Sequence, residues 1–244
     1  MRKEIEFESI EPINIKEERS ELRGKEFLNI FDNVYYIVKY QLDKCIKHGI
    51  KGFIFYGDVG VGKTYCGKAL AKELRVPLYF IDGKDIARSA YGESENRINH
   101  LFHAATLEKS IILIDDVESI FPKREWIKGQ EWNVALSNVF FHEVDNLDTS
   151  KNCVILSTNK FDLVDKAVKD RLYPIKFPYP DLATLEETAK KRCSELLISS
   201  DEIIKNLKEL FAGDSNGTKM DPIDEVARMI VSEDIDPSSI TIPK

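Results

Sequence analysis

Short apolar runs alternate with stretches of helical periodicity between residues 50 and 177. Continuous apolar runs of this kind, bounded by glycine or polar residues, are typical of strands buried on both faces of a parallel sheet. Five such runs predict strands, over Gly52–Tyr56, Leu78–Ile81, Ile111–Ile114, Val154–Leu156 and Ile175–Phe177. Apolar spacing also predicts four helices, over Phe27–Ile46, Lys63–Leu74, Glu93–Ala105 and Trp132–Val144. Strands that alternate with helices indicate an α/β fold with both faces of the sheet covered.

The strand pattern stops after Pro180, and helices are predicted over 181–198, 201–212 and 221–232. We therefore divide the chain into three parts, which are an N-terminal arm and helix (1–48), an α/β core (49–179) and a small all-α lid (180–244). Residues 1–26 carry many charges of both signs and little periodicity, so we expect a loosely held arm.

Composition narrows the class of protein. A hydrophobic content of 43% suits a globular chain, and no apolar run is long enough to span a membrane. The first residues lack the apolar segment of a signal peptide, which favours a cytoplasmic location. The four cysteines have no paired spacing, so free thiols are expected rather than a zinc site. The net charge of -7 disfavours a general nucleic-acid coat.

The segment after the first predicted strand fits the pattern G-x-x-x-x-G-K-[ST]. Glycines allow the backbone to wrap around phosphates with its N–H groups pointing inward, and the following helix presents its positive end. Lys63 is expected to reach the β- and γ-phosphates, and the Thr64 hydroxyl is expected to bind Mg²⁺. The predicted nucleotide-binding residues are Gly57, Asp58, Val59, Gly60, Val61, Gly62, Lys63, Thr64 and Tyr65.

The third predicted strand, Ile111–Ile114, ends in two adjacent acids, Asp115 and Asp116. Buried strands do not end in paired carboxylates unless a charged partner lies there. We assign Asp115 to the Mg²⁺ shell and Asp116 to polarising an attacking water. Glu118 is an alternative for the second role, and Asp116 is alternatively a helix N-cap.

These motifs resemble the AAA+ ATPase superfamily from Ile50 to Phe177. The segment Tyr91–Arg97 is similar to the family's G-E-S-E segment. Val154–Lys160 resembles the strand that carries sensor 1, with Asn159 as the residue that orients water and the γ-phosphate. Leu163–Leu172 resembles the segment that ends in the arginine finger, and Arg171 is its candidate; the alternative is a surface ion pair.

The resemblance implies a P-loop NTPase core with a five-stranded parallel sheet, and an ATP site shared between neighbouring subunits. The implied catalytic residues are Lys63, Asp116, Asn159 and Arg171, acting on ATP with Mg²⁺. We therefore expect a homo-oligomeric ring, with six subunits as the expected number, that couples ATP hydrolysis to remodelling of a protein partner. Two alternatives remain, a DNA-associated loader or initiator and a nucleotide-gated scaffold with negligible turnover. The scaffold is open because the family more commonly carries glutamate at the position of Asp116.

Three features depart from the family pattern. The aromatic residue of the G-E-S-E segment is displaced by one position, so Tyr91 either lines a central pore or packs against the core. The segment 122–130 with Trp126 is either a second pore loop or a solvated loop. Arg228 is either the sensor 2 arginine of the lid or part of a surface. The Asp115–Asp116 pair itself resembles that of replication initiators and helicase loaders, which keeps the DNA-linked alternative open.

Overall fold

The computed structural model describes residues 10–87, 93–123, 131–196, 199–201, 203–205, 207 and 208. Its strands are β1 (Gly52–Tyr56), β2 (Leu78–Asp82), β3 (Ser110–Asp115), β4 (Asn152–Thr158) and β5 (Tyr173–Lys176). Its helices are α1 (Lys25–Asp43), α2 (Lys63–Leu74), α3 (Gly83–Ala87), α4 (Glu93–Thr106), α5 (Glu131–Asp145), α6 (Lys166–Lys169) and α7 (Leu182–Leu196).

The five strands form one parallel sheet in the order β2-β3-β4-β1-β5. This confirms the predicted α/β fold with a five-stranded parallel sheet. The carboxyl ends of the three central strands, β3, β4 and β1, lie at the same edge of the sheet. Strand β1 lies between β4 and β5, so neighbours in the sheet are not neighbours in the chain at this point. Ligands of open α/β sheets bind at such an edge. The loops that follow β1, β3 and β4 therefore converge.

Side chains along each central strand alternate between two cores, as the period of two in a strand requires. Phe53 and Phe55 face the core under α1 and α2, whereas Ile54 between them faces the core under α4 and α5. The same alternation holds along β3, where Ile111 faces the first core and Ile112 the second. Side chains on either face of these central strands are therefore covered by helices, which explains why the apolar runs are continuous.

Helices α3 and α6 were not predicted, because five and four residues are too short to display helical periodicity. Helix α7 packs against Ile203 and Leu207 in a small cluster of its own. The other predictions for the lid, including Arg228, lie outside the described residues. Tyr91 and Trp126 also lie outside them, so their alternatives stay open.

Residues 10–24 lie against the core, which corrects the expectation of a loosely held arm for this segment. The Ile13 amide donates a hydrogen bond to the Leu78 carbonyl at 2.9 Å, and the Leu22 side chain is buried. Glu17 pairs with Lys68, and Glu18 pairs with Lys72. Two acids of this segment are therefore matched to lysines on α2, and Arg19 pairs with Asp32 on α1. No helix among the described residues is long and apolar enough to cross a membrane.

Candidate functional site

The loop between β1 and α2 has the backbone that the glycine pattern predicts. Gly60 and Gly62 have φ angles of 75° and 89°, a left-handed region that favours glycine. At Gly62 an added Cβ would also lie 3.0 Å from the ring of Phe27. This loop ends directly at the first residue of α2, Lys63. The N-terminus of α2 therefore faces the concave side of the loop, as phosphate binding requires.

The Lys63 side chain is buried, with 6% of the residue exposed, and all three of its N–H donors are used. Its Nζ donates to the Gly57 carbonyl at 3.0 Å, to the Asp58 carbonyl at 2.7 Å and to Asn159 Oδ1 at 2.6 Å. Burial lowers the pKa of Lys63, although the nearby carboxylates, Asp115 foremost, act in the opposite direction. The ammonium group is thus positioned inside the loop.

Thr64 and Asp115, both assigned to Mg²⁺ from the sequence, are in direct contact. The Thr64 hydroxyl donates to Asp115 Oδ2 at 2.7 Å. Asp115 Oδ1 accepts from the Asp116 amide at 3.0 Å and from the Ser157 hydroxyl on β4. Burial raises the pKa of Asp115, with the Thr64 hydrogen bond opposing it. Ser157 was missed by sequence reasoning, since a serine within an apolar strand carries no signal of its own.

This donor set fits Mg²⁺. A hydroxyl and a carboxylate oxygen 2.7 Å apart are hard oxygen ligands, and Mg²⁺ is usually held by one or two carboxylates together with substrate phosphates. Among the described residues, no group of three or more histidine, cysteine or acidic side chains is placed to hold a metal. Thr64 and Asp115 therefore suit a metal that arrives with phosphates better than a metal enclosed by protein ligands alone.

Asp116 adopts φ 50° and ψ 45°, a left-handed conformation that strains a non-glycine residue by about 1–3 kcal/mol. It occupies the N-cap position of the 3-10 helix Val117–Ser119, but its side chain makes no capping hydrogen bond. The N-cap alternative therefore does not explain this carboxylate. Its Oδ2 instead contacts Lys84 Nζ, and this hydrogen bond raises the pKa of Lys84. Lys84 was not predicted.

Asn159 connects the two halves of the site. Its Oδ1 accepts from Lys63, while its Nδ2 lies 3.4 Å from Asp116 Oδ1. The alternative acid, Glu118, accepts from the Thr158 hydroxyl at 2.7 Å. Of the two acids, Asp116 is the one that contacts Asn159. The structure thus brings Lys63 and Asn159 together with Asp116, beside the Thr64–Asp115 pair.

Arg171 takes a different position from these residues. Its Nε and Nη2 atoms each lie 3.0 Å from an oxygen of Asp145, and Nη1 donates to the Ala167 carbonyl at 3.0 Å. Its guanidinium also lies 4.3 Å from the centre of the Phe141 ring. Within one chain, Arg171 therefore forms the ion pair that was its alternative assignment.

A cavity of about 520 Å³ adjoins the phosphate-binding loop. Its walls come from three segments, which are residues 21–27, residues 60–62 with Tyr65, and part of 178–191. The size and mixed polarity suit a nucleoside placed beside a phosphate chain. Sequence reasoning missed the first and third walls, because neither carries a motif.

Tyr65 joins the walls of this cavity. Its hydroxyl donates to the Glu21 carboxylate and accepts from the Glu18 amide at 3.2 Å. Glu21 also pairs with Lys191 on α7 at 2.9 Å. Burial and the hydrogen bond to Glu21 raise the pKa of Tyr65 to about 12. Tyr65 was predicted to bind nucleotide, and it lines the cavity while linking α2 to the N-terminal segment.

Comparison with known sequences gives a consistent result. Residues 53–178 match the family described as "ATPase family associated with various cellular activities (AAA)". The chain is 31% identical over 170 residues to a cell division cycle protein 48 homolog of Archaeoglobus fulgidus, covering 67% of this chain and 23% of that protein. It is 29% identical over 204 residues to the ATP-dependent zinc metalloprotease FtsH of Clostridium perfringens, covering 76% and 28%. The chain thus spans less than a third of these relatives.

A solved structure has the same fold. It is a chain in the "Structure of E. coli MS115-1 HORMA:CdnC:Trip13 complex", with a TM-score of 0.69. The match covers 87% of this chain and 82% of that chain at 19% sequence identity. At this identity the likeness concerns the fold alone.

Proposed function

Because the chain belongs to the AAA family of ATPases, we propose that it hydrolyses ATP with Mg²⁺ and uses this energy to remodel a protein partner. The observation that carries the proposal is the continuous contact from Lys63 through Asn159 to Asp116, beside the Thr64–Asp115 pair. A phosphate-binding lysine, a polar side chain and a carboxylate are thus connected in one site. Hydrolysis of a terminal phosphate requires these three kinds of group.

In the proposed mechanism, the backbone of residues 57–62 binds the phosphates, and the Lys63 ammonium exchanges its hydrogen bonds to the Gly57 and Asp58 carbonyls for phosphate oxygens. Thr64 and Asp115 would hold Mg²⁺, which would supply positive charge to the phosphates when bound. Asp116 accepts a hydrogen bond from the attacking water and orients it for in-line attack. Asn159 contacts both Lys63 and Asp116, and so fixes the position of the carboxylate relative to the phosphate-binding lysine.

We further propose that the ATP site is completed by a neighbouring subunit in a homo-oligomeric ring, with six as the expected number. Arg171 is the residue proposed to reach the neighbour's γ-phosphate. In support, its guanidinium lies away from the Lys63–Asn159–Asp116 contacts and pairs with a half-exposed Asp145. An arginine that serves its own site would be expected among those contacts. A cytoplasmic location is part of the same proposal.

The scaffold alternative remains relevant because Asp116 stands where glutamate is more common. Turnover per subunit, measured against protein concentration with Mg²⁺ and ATP, separates the two functions. The proposed function predicts turnover that rises as subunits assemble, with no turnover in Lys63→Ala. A wild-type chain that binds ATP and assembles but hydrolyses none at any concentration would favour the scaffold.

The partner can be sought with an ATP-trapping variant. Asp116→Asn, immobilised with ATP and Mg²⁺, is expected to retain a protein that Lys63→Ala does not retain under the same conditions. DNA captured in place of protein, together with salt-sensitive stimulation of turnover by DNA, would support the loader alternative.

A further inference from the structure

Lys84 lies beside the proposed catalytic carboxylate without belonging to any motif described above. It is the second residue of α3, which follows β2 directly, and its side chain is 58% exposed. Its Nζ pairs with Asp116 Oδ2. The Asp116 side chain is 19% exposed, but solvent at the lysine end screens the pair, so its contribution to folding stability is small. A lysine that contacts the proposed water-polarising acid therefore needs an explanation other than stability.

The backbone that carries Lys84 is held firmly against the acidic loop. A Cβ added at Gly83 would lie 2.8 Å from the carbonyl oxygens of Asp115 and Asp116, so these chain segments are in close contact. The Lys84 amide also donates to Asp82 Oδ1 at 2.8 Å. The base of the Lys84 side chain is thus in a defined position relative to Asp116.

The two oxygens of Asp116 have different partners. Oδ2 contacts Lys84, whereas Oδ1 is directed to the Asn159 amide. An aspartate is one methylene shorter than the glutamate that is more common at this position. A short carboxylate must be placed more accurately to reach the same water, and a cation at one oxygen fixes the direction of the other.

We propose that Lys84 is a positioning residue of the hydrolytic site, which holds Asp116 Oδ2 so that Oδ1 points to Asn159 and the attacking water. This inference rests on the proposed ATP hydrolysis. It explains how a chain with Asp116 hydrolyses ATP, and it predicts that Lys84 is needed only because this acid is short.

The test is a double-mutant cycle of Lys84→Met with Asp116→Glu, using purified full chain, ATP and Mg²⁺. Lys84→Met is expected to lower kcat by about tenfold, a part of the roughly 10²–10⁴-fold that a positioned base contributes, while KM for ATP changes less than about twofold. Lys84→Arg should recover most of the kcat. In the Asp116→Glu background, Lys84→Met should leave kcat nearly unchanged, because glutamate reaches the water without help.

A matched control is Lys39→Met, which removes another half-exposed lysine from an ion pair, Lys39–Asp43, on α1. Its kcat and KM should equal those of wild type.

A readout besides activity is the rate of reductive methylation of Lys84, measured by mass spectrometry. That rate should increase in Asp116→Asn relative to the rate at Lys39, because the ion pair shields the amine.

An unchanged or increased kcat in Lys84→Met would overturn the proposal, and so would an equal loss in both backgrounds. A raised KM at constant kcat would also overturn it, since the role would then be binding. These outcomes leave the proposed function intact because the wild type hydrolyses ATP in each. Absence of turnover in wild type and in Asp116→Glu, with ATP still bound, would overturn the proposed function and the positioning role together.

Discussion

Arg171 and Asp145 form a two-point ion pair, in which Nε and Nη2 of the arginine each lie 3.0 Å from a carboxylate oxygen. The side chains are 29% and 54% exposed, and pairs of this kind contribute about 0–1 kcal/mol. The guanidinium also donates to the Ala167 carbonyl and contacts the Phe141 ring, so these contacts as well as the Asp145 pair are exchanged if Arg171 reaches a neighbouring subunit.

Arg171→Ala is expected to leave ATP affinity nearly intact and to lower turnover of the assembled protein by roughly 10³–10⁵-fold. The reason is that the guanidinium stabilises charge that develops on the γ-phosphoryl oxygens only in the transition state. Calorimetry gives the affinity, and steady-state kinetics at high protein concentration gives the turnover. Asp145→Asn serves as the control and should keep turnover. Normal turnover in Arg171→Ala would refute the finger assignment.

Lys63→Ala should abolish nucleotide binding, since it removes the cation that faces the phosphates in the P-loop. Isothermal calorimetry with ATP and Mg²⁺ measures the effect, and circular dichroism checks that the fold is retained. Lys39→Ala, which affects only an exposed pair on α1, should bind as wild type does. Unaltered affinity in Lys63→Ala would mean that the nucleotide binds elsewhere.

Asp116→Asn should bind ATP as tightly as wild type and hydrolyse it about 10²–10⁴ times more slowly, the range for a positioned general base. The amide keeps the shape of the side chain but accepts the water proton poorly. Single-turnover measurements with labelled ATP separate this step from product release. Hydrolysis at the wild-type rate would transfer the role to another acid, of which Glu118 is the nearest candidate.

Much of this site could be predicted from sequence because strong local patterns specify it. The apolar runs predicted all five strands within two residues at each end. For the central strands β1, β3 and β4 the reason is burial on both faces, which tolerates few polar residues, whereas the edge strand β5 is mostly exposed. All strands of a parallel sheet run in one direction, so their carboxyl ends lie at the same edge of the sheet. The contact between Thr64 and Asp115 follows from that geometry together with the two motifs.

The remaining contacts depend on tertiary structure that no local pattern encodes. Lys84 is an exposed lysine on a five-residue helix, and such a residue resembles any solvated lysine until the fold brings it to Asp116. The charges of residues 10–24 suggested solvation, whereas several of them pair with residues of α1, α2 and α7. The partner of Arg171 within the chain, Asp145, is likewise 26 residues away in sequence.

Tyr65→Phe should destabilise the fold by about 1 kcal/mol, because it removes the hydroxyl that links α2 to Glu21. It should also weaken ATP binding, since Tyr65 and Glu21 both line the cavity. Tyr79→Phe is the matched control: its hydroxyl donates to Glu108 at 3.0 Å, away from the cavity. That variant should lose stability while keeping ATP affinity. Urea unfolding and calorimetry measure the two properties.

The Tyr65 hydroxyl also predicts how the free energy of unfolding depends on pH. The pKa of Tyr65 is raised from 10.0 to about 12, so the folded state favours the neutral phenol. Its contribution to stability is therefore complete below pH 10 and is lost as the pH rises through about 12. The difference in unfolding free energy between wild type and Tyr65→Phe should shrink across this window. A difference that stays constant would contradict the link to Glu21.

Thiol labelling tests the packing around α2. Cys45 is exposed, whereas Cys66, Cys153 and Cys193 are buried. Burial raises the pKa of Cys66 far above its usual range and that of Cys153 to about 12, so both stay protonated and unreactive. A small alkylating reagent should label Cys45 alone in the native protein and the other three only in denaturant. Rapid native labelling of Cys66 would contradict the described position of α2.

The walls of the cavity beside the phosphate-binding loop differ in how they are anchored. The α2 wall continues into the central sheet, whereas α7 packs in a small cluster of its own and is tied to the N-terminal segment by the charge pairs Arg23–Glu187 and Glu21–Lys191. Salt screens pairs of that kind over about 10 Å at 0.1 M ionic strength. We therefore expect α7 to separate from the N-terminal segment more readily than the phosphate-binding loop changes its shape.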